Sequence, residues 1–171
     1  LVEMLRRSNL NFSVLDEAIC TELGHDEQNP FESTQLVLCP LSFLVNNPNR
    51  FEQSLACDWD LLLIDEAHHL EWHINHASPA YQCAEALANK AKGVLLLTAT
   101  PEQLGLDSHF ARLRLLDPDR YYNFEEFVAE EEKYKPVNYL VQELAQADNL
   151  AQLPAELEEY LSEKELLNIQ K

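Results

Sequence analysis

Two apolar runs stand out in the pattern of hydrophobic and polar positions, and each ends abruptly in polar residues. Residues 61–64 are followed by Asp-Glu-Ala-His at 65–68, and residues 94–97 are followed by Thr-Ala-Thr-Pro at 98–101. Neither run alternates apolar with polar residues, which is typical of parallel strands that are covered on both faces. The pattern therefore predicts two buried strands whose polar ends meet at one edge of a mostly parallel sheet.

A helix is predicted between these two strands. Ser78 or Pro79 can begin it, and Gly93 can end it. Between them the apolar side chains recur on one side of the helix, at positions 84, 87, 88 and 91. A strand, a helix and a further strand form a right-handed crossover unit, so the sequence indicates an α/β fold with flanking helices.

Weaker patterns complete the predicted organisation. They predict the end of a helix at 1–7, strands at 12–15 and 35–39, a loop at 21–34, a brief helix that begins at Pro40 or Ser42 and ends near Asn47, a His- and Asn-rich loop after residue 68, an amphipathic segment at 109–116, and helices at 124–134, 137–147 and 155–169. Because only helices are predicted near the end of the chain, we expect a sheet-containing domain at 1–117 and a helical segment at 118–171.

Length, charge and cysteine spacing argue against a membrane protein, an autonomous nucleic-acid-binding domain and a zinc ribbon. The 171 residues, of which 46% are hydrophobic, can bury one core, and no apolar run approaches the roughly 18 residues that a membrane span needs. A net charge of −18 would repel a phosphate backbone. The four cysteines never form a Cys-x-x-Cys pair, which is typical of reduced thiols rather than of a zinc ribbon. We therefore expect a cytoplasmic domain with no membrane partner that does not bind nucleic acid by itself.

The carboxylates after the first apolar run match the Walker B, or DEAH, box of helicase-like ATPases. In such a site the first carboxylate, here Asp65, holds Mg²⁺, and the second, Glu66, polarises the water that attacks the γ-phosphate of ATP. The alternative is that the two acids begin a loop and that the neighbouring histidines are surface residues. The position directly after a buried strand favours the ATPase interpretation.

The hydroxyls after the second apolar run give an independent signal. Thr98 and Thr100, on either side of Ala99, can form hydrogen bonds to the neighbouring acidic loop and so report the state of the phosphate. The alternative is a strand end capped by threonines. Both motifs in this order, separated by one crossover helix, favour an ATPase core.

A metal site is a rival interpretation of the same region. His69 and His73 have the i, i+4 spacing that can share a metal ion on a helix. The His-Glu-x-x-His order of a catalytic zinc site is absent, however, so only adventitious nickel or zinc binding is plausible.

The phosphate-binding loop of an ATPase is missing from the sequence. The glycines are Gly24, Gly93 and Gly105, and none begins a Gly-x-x-x-x-Gly-Lys-Ser/Thr loop. The chain also opens at Leu1 rather than at a methionine. We therefore expect an internal piece of a longer protein that does not hydrolyse ATP by itself.

Several stretches resemble one family, the SWI/SNF-type superfamily-two helicase-like ATPases, and within it the bacterial members that associate with RNA polymerase. These stretches are residues 1–7, 59–62, 65–70, 93–105 and 109–118, and the likeness is strong over residues 1 to about 136 and weak beyond. The resemblance implies that residues 1–117 are the later part of the first RecA-like lobe and that 118–171 lead toward a second lobe. It also implies an intact protein that uses ATP and Mg²⁺ to move on DNA and to recycle RNA polymerase by remodelling posttermination or stalled transcription complexes.

The resemblance assigns roles residue by residue. Asp65 becomes the Mg²⁺ ligand, Glu66 the catalytic base and His68 a coupling residue. The residues that link hydrolysis to movement on DNA are Thr98, Ala99 and Thr100. Ser42 occupies the place of a DNA-contacting motif, although the surrounding pattern matches thinly. Two alternatives stay open: another DEAH-type helicase acting on RNA or DNA, and an acidic protein-interaction module.

Overall fold

The computed structural model describes residues 11–23, 29–98 and 105–134. The chain divides into two compact units, Leu1–Tyr122 and Asn123–Lys171. The strands of the first unit are β1 (Ser13–Val14), β2 (Val37–Leu38), β3 (Leu62–Ile64), β4 (Trp72–His73), β5 (His76–Ala77) and β6 (Val94–Leu96). Its helices are α1 (Glu17–Leu23), α2 (Leu41–Asn46), α3 (Pro48–Leu55), α4 (Pro79–Ala88) and α5 (Leu106–Leu116), with 3-10 turns at Pro30–Glu32 and Ala67–His69. In the second unit, residues 124–134 are helical, as predicted.

The described strands form three pairs. β1 pairs with β2 and β3 pairs with β6, both in parallel, whereas β4 and β5 form an antiparallel hairpin. Within the β3–β6 pair, Leu63 lies opposite Leu95, and Ile64 lies opposite Leu96. The chain passes from β3 to β6 through α4, which confirms the predicted α/β fold with parallel strands.

Helix α4 begins where the sequence predicts and ends earlier. The Ser78 hydroxyl accepts a hydrogen bond from the backbone N–H of Tyr81 at 3.1 Å, and Pro79 occupies the first turn, where its missing N–H costs nothing. The helix ends at Ala88 because the chain must turn into β6. The Lys92 N–H already donates to the Trp59 carbonyl at 3.0 Å, outside the helix.

The core of the first unit lies among α1, α2, α4 and the strand pairs. Its central cluster of buried side chains comprises Leu15, Cys20, Phe31, Leu44, Cys57, Cys83 and Leu87. Leu62 of β3 packs against this cluster, and so do Val37 and Phe43. One face of the β3 strand therefore contributes to the core.

The other face of the β3–β6 pair is exposed, so the expectation that both faces are covered is wrong for the described residues. Four leucines on this face have exposed fractions of 37–57%: Leu61, Leu63, Leu95 and Leu97. The alternation arises because successive side chains of a strand point to opposite faces and the core cluster covers only one of them. We call these four side chains the leucine face.

Two segments that were predicted as loops contain regular structure. Helix α1 extends to Leu23 and is capped at its start by Asp16, whose Oδ1 accepts a hydrogen bond from the Ile19 N–H at 2.9 Å. The His- and Asn-rich loop contains the β4–β5 hairpin, in which Trp72 is buried and His73 is exposed. The predicted helices at 1–7, 137–147 and 155–169 lie outside the described residues. Within the described ranges, no helix has the length and apolar character needed to cross a bilayer.

Candidate functional site

Backbone pairing brings the two polar strand ends together. Ile64 is the last residue of β3, and its carbonyl accepts a hydrogen bond from the Leu97 N–H at 2.9 Å. The Leu97 carbonyl in turn accepts a hydrogen bond from the Ala67 N–H, also at 2.9 Å. The acidic turn, which we define as residues 65–70, is therefore fastened directly to the residue that precedes Thr98.

Glu66 has an unusual backbone conformation within this turn. Its φ and ψ angles are 53° and 43°, in the left-handed region, and no other described residue except glycine has a positive φ. The Glu66 N–H donates to Asp65 Oδ1 at 3.0 Å, and the Glu66 carbonyl accepts a hydrogen bond from the His69 N–H at 2.9 Å. Such a conformation costs on the order of 1–2 kcal/mol for a residue with a Cβ, so the surrounding hydrogen bonds must hold it.

Both carboxylates of the turn are open to solvent. Asp65 and Glu66 are exposed, whereas Ala67 and Leu70 are buried and anchor the turn to the protein. Carboxylate oxygens at the carboxyl end of a parallel strand pair are suitable ligands for a hard divalent cation such as Mg²⁺. The arrangement can therefore present two adjacent negative groups to a ligand from a firmly held backbone.

Two polar atoms near the turn are buried and make no hydrogen bond in the described part of the chain: His68 Nδ1 and Thr98 Oγ1. His68 Nδ1 does lie 3.1 Å from Glu66 Oε2, which is an ion-pair distance when the ring is protonated, but the contact lacks hydrogen-bond geometry. Because a short distance without alignment stabilises little, the ring nitrogen remains unsatisfied. Unsatisfied buried groups are costly and are often found at sites that bind a ligand or change state.

The remaining predicted site residues are placed as follows. Ser42 is exposed in α2, an element separate from the acidic turn. Ala99 and Thr100 lie outside the described residues. Of the predicted hydroxyls, the described part of the chain therefore brings only Thr98 to the acidic turn.

The structure does not support the rival metal interpretation. His69 ends the 3-10 turn and His73 belongs to β4, so the helix that the i, i+4 spacing requires is not formed. Within residues 11–23, 29–98 and 105–134, no three His, Cys, Asp or Glu side chains are placed to hold a metal ion.

Sequence reasoning missed the hairpin that follows the acidic turn and its aromatic contacts. Trp72 of β4 packs against Phe110 of α5, with ring centroids 5.0 Å apart, and lies 6.5 Å from the ring of Tyr81. The alternation of apolar and polar residues from Trp72 to Asn75 was an available signal. It was too short to recognise among the histidines.

Comparisons with known proteins agree with the motifs. The family model described as the SNF2-related domain matches residues 5–166. The chain is 55% identical over 167 residues to the RNA polymerase-associated protein RapA of Vibrio cholerae serotype O1 (strain M66-2), covering 97% of this chain and 17% of that protein. It is 57% identical over 150 residues to RapA of Photobacterium profundum, covering 88% of this chain and 15% of the relative.

The match thus extends past residue 136, into the part of the chain where the resemblance of the sequence motifs is weak. The chain spans 17% of the length of the Vibrio cholerae relative, so it corresponds to a small part of that protein. A family match over residues 5–166 covers nearly the whole chain. This chain belongs to the SNF2-related domain family of helicase-like ATPases.

Proposed function

We propose that this chain is part of the first motor lobe of an ATP-dependent DNA translocase that associates with RNA polymerase in the cytoplasm. The intact protein would use ATP to remodel posttermination or stalled transcription complexes and so recycle the polymerase. The names of the relatives, which state an association with RNA polymerase, support this assignment. Residues 1–117 would supply the later part of the lobe, and residues 118–171 would lead toward the second lobe.

The observation that carries the proposal is the backbone connection between the acidic turn and β6. Because the Ala67 N–H donates to the Leu97 carbonyl, the two carboxylates and Thr98 lie at the same edge of the parallel pair. This edge is where parallel α/β sheets bind nucleotides. Asp65 would hold Mg²⁺, and Glu66 would accept a proton from the attacking water as the base.

Bound Mg²⁺ would neutralise part of the negative charge of the ATP phosphates. The protein's part is positioning. The held backbone of Glu66 keeps the base in one place, and the buried hydroxyl of Thr98 and the imidazole of His68 can respond to what occupies the edge. Thr98, together with Ala99 and Thr100, would pass that response on to movement along DNA, and Ser42 would contact the DNA.

The substitution Glu66→Gln in the complete protein tests this proposal. Removing the base while keeping the size of the side chain should reduce the kcat of ATP hydrolysis by about 10²–10⁴-fold and leave nucleotide binding nearly unchanged. Steady-state ATPase assays and calorimetric ATP titration measure the two effects. Glu71→Gln, an exposed acid just beyond the turn, is the matched control and should keep normal turnover. Normal turnover in Glu66→Gln would refute the assigned role.

A further inference from the structure

An aromatic cluster connects the hairpin that follows the acidic turn with α4 and α5. We define the cluster as Trp72 of β4, Tyr81 of α4 and Phe110 of α5. All three side chains are buried, with exposed fractions of 8%, 0% and 0% in that order. The centroid distances of 5.0 Å and 6.5 Å place the Trp72 ring within contact range of both neighbours, at spacings where aromatic pairs attract each other.

Polar contacts strengthen the same connection. The Tyr81 hydroxyl donates to the Ala111 carbonyl of α5 at 3.1 Å. At the start of α5, Asp107 Oδ2 lies 3.2 Å from His73 Nδ1 of the hairpin. The β4–β5 hairpin and α4 are therefore both attached to α5. The hairpin is attached through a ring contact and the His73–Asp107 contact, and α4 is attached through a buried hydrogen bond.

The position of the cluster along the chain gives it a mechanical consequence. The acidic turn begins directly after β3 and ends two residues before Trp72. The β3–β6 pairing and the Ala67–Leu97 hydrogen bond hold the turn on one side, and the aromatic cluster holds the chain just beyond its other end. The turn is thus held from both sides, and loosening Trp72 should loosen the backbone that carries the two carboxylates.

We propose that Trp72 is a positioning residue that fixes the spacing between the acidic turn and Thr98 for ATP hydrolysis. This inference rests on the function proposed above. Trp72 acts through the backbone of residues 65–70 and does not touch the nucleotide. Because a displacement of about 1 Å at reacting groups can cost roughly 100-fold in rate, loosening the turn should lower kcat more than it raises KM.

Hydrogen exchange in the chain described here tests the mechanical step without any nucleotide. In Trp72→Ala, the amides of Ala67 and Leu97 should exchange at least about tenfold faster, because their hydrogen bonds to the Leu97 and Ile64 carbonyls are loosened. The Leu15 amide, which donates to the Leu38 carbonyl in the separate β1–β2 pair, should exchange at its original rate. Trp72→Phe should restore most of the protection. Ile74→Ala, at the exposed hairpin tip, is the control and should change nothing.

If Trp72→Ala unfolds the whole chain, all amides exchange faster and this variant cannot test the inference. A second variant then provides the test. Trp72→Leu keeps an apolar side chain in the buried site and removes both ring contacts. Faster exchange confined to Ala67 and Leu97 in this variant supports the inference. Unchanged exchange at both amides overturns it.

Kinetics of the complete protein separate this inference from the proposed function. Trp72→Ala should lower the kcat of ATP hydrolysis about tenfold or more, with KM for ATP within about twofold and recovery in Trp72→Phe. If Glu66→Gln is inactive and Trp72→Ala has normal kcat, the positioning role is wrong and the proposed function stands. If Glu66→Gln retains normal turnover, the proposed function is wrong, whatever Trp72 does.

Discussion

Glu66, the residue assigned as the base, has a strained backbone conformation. A left-handed conformation is common for glycine and asparagine and is rare for glutamate. The hydrogen bonds of the Glu66 carbonyl to His69 and of Ala67 to Leu97 hold the turn against this cost. A glutamate in such a position is consistent with a requirement for its carboxylate rather than for stability.

Replacement of Glu66 by glycine should therefore stabilise the chain. Glu66→Gly removes the Cβ from a position with φ of 53°, and we expect the free energy of unfolding to rise by about 0.5–1 kcal/mol. Urea denaturation followed by circular dichroism measures the change. Asp65→Gly is the matched control, because Asp65 has no positive φ and should lose stability through added chain entropy. Equal losses in both variants would contradict the strain argument.

The free energy of unfolding should depend on pH in the alkaline range, because the Cys83 thiol is buried. Burial raises the pKa of Cys83 from 9.0 to about 11, so the folded chain keeps the proton at pH values where the unfolded chain loses it. The free energy of unfolding should therefore fall as pH rises from 9 to 11, by at most about 1.4 kcal/mol per pH unit for this group. Urea denaturation across this range should show a shallower fall in Cys83→Ala. An identical slope in the variant would exclude a contribution from Cys83.

At the scale of elements, the β3–β6 pair is covered on only one face. Parallel strands are rarely stable with a bare apolar face, and the four leucines of this face are half exposed in the described structure. The same strands carry the acidic turn and Thr98 at their ends. The strands that position the acidic turn therefore also carry an exposed apolar surface.

Polar substitutions on the leucine face should reduce self-association. Leu63→Thr with Leu95→Thr keeps β-strand propensity and removes exposed apolar area from neighbouring positions. We expect weaker binding of a hydrophobic dye and fewer oligomers in light scattering, with stability changed by about 0.5 kcal/mol or less. Leu62→Thr, on the core side of β3, is the control and should cost about 2–4 kcal/mol. Unchanged association in the double variant would show that this face does not drive association.

At the scale of the whole molecule, charge and size limit what the chain can do by itself. The net charge of −18 opposes binding to phosphate backbones, and several bases in the described residues are already paired, including Arg50 with Glu17 and Lys92 with Asp60. The chain also spans only 17% of its Vibrio cholerae relative. DNA binding by the intact protein would therefore need basic surface from outside this chain.

The isolated chain should not bind duplex DNA at physiological salt. We expect a Kd weaker than about 100 μM, because non-specific affinity comes from neutralising phosphates with free basic side chains. Fluorescence anisotropy with a labelled duplex at low and physiological salt measures it. Ser42→Ala should leave this result unchanged, whereas in the complete protein it should weaken binding. A micromolar Kd for the isolated chain would contradict the charge argument.

The sequence by itself determined the parts that depend on local pattern. Uninterrupted apolar runs predicted β3 and β6, and Ser78 and Pro79 predicted the start of α4. These predictions succeeded because caps, strand patterns and the handedness of crossovers are set by interactions close in sequence. The resemblance to the family also came from contiguous motifs.

Only the tertiary structure decided the features that depend on residues distant in sequence. The left-handed backbone of Glu66 lies in a turn that the Ala67–Leu97 hydrogen bond holds, and Trp72 of the hairpin packs against Tyr81 and Phe110. The exposure of the leucine face depends on which elements cover β3 and β6. An apolar run indicates that a strand can be buried. Whether each face is buried depends on how the surrounding chain packs against it.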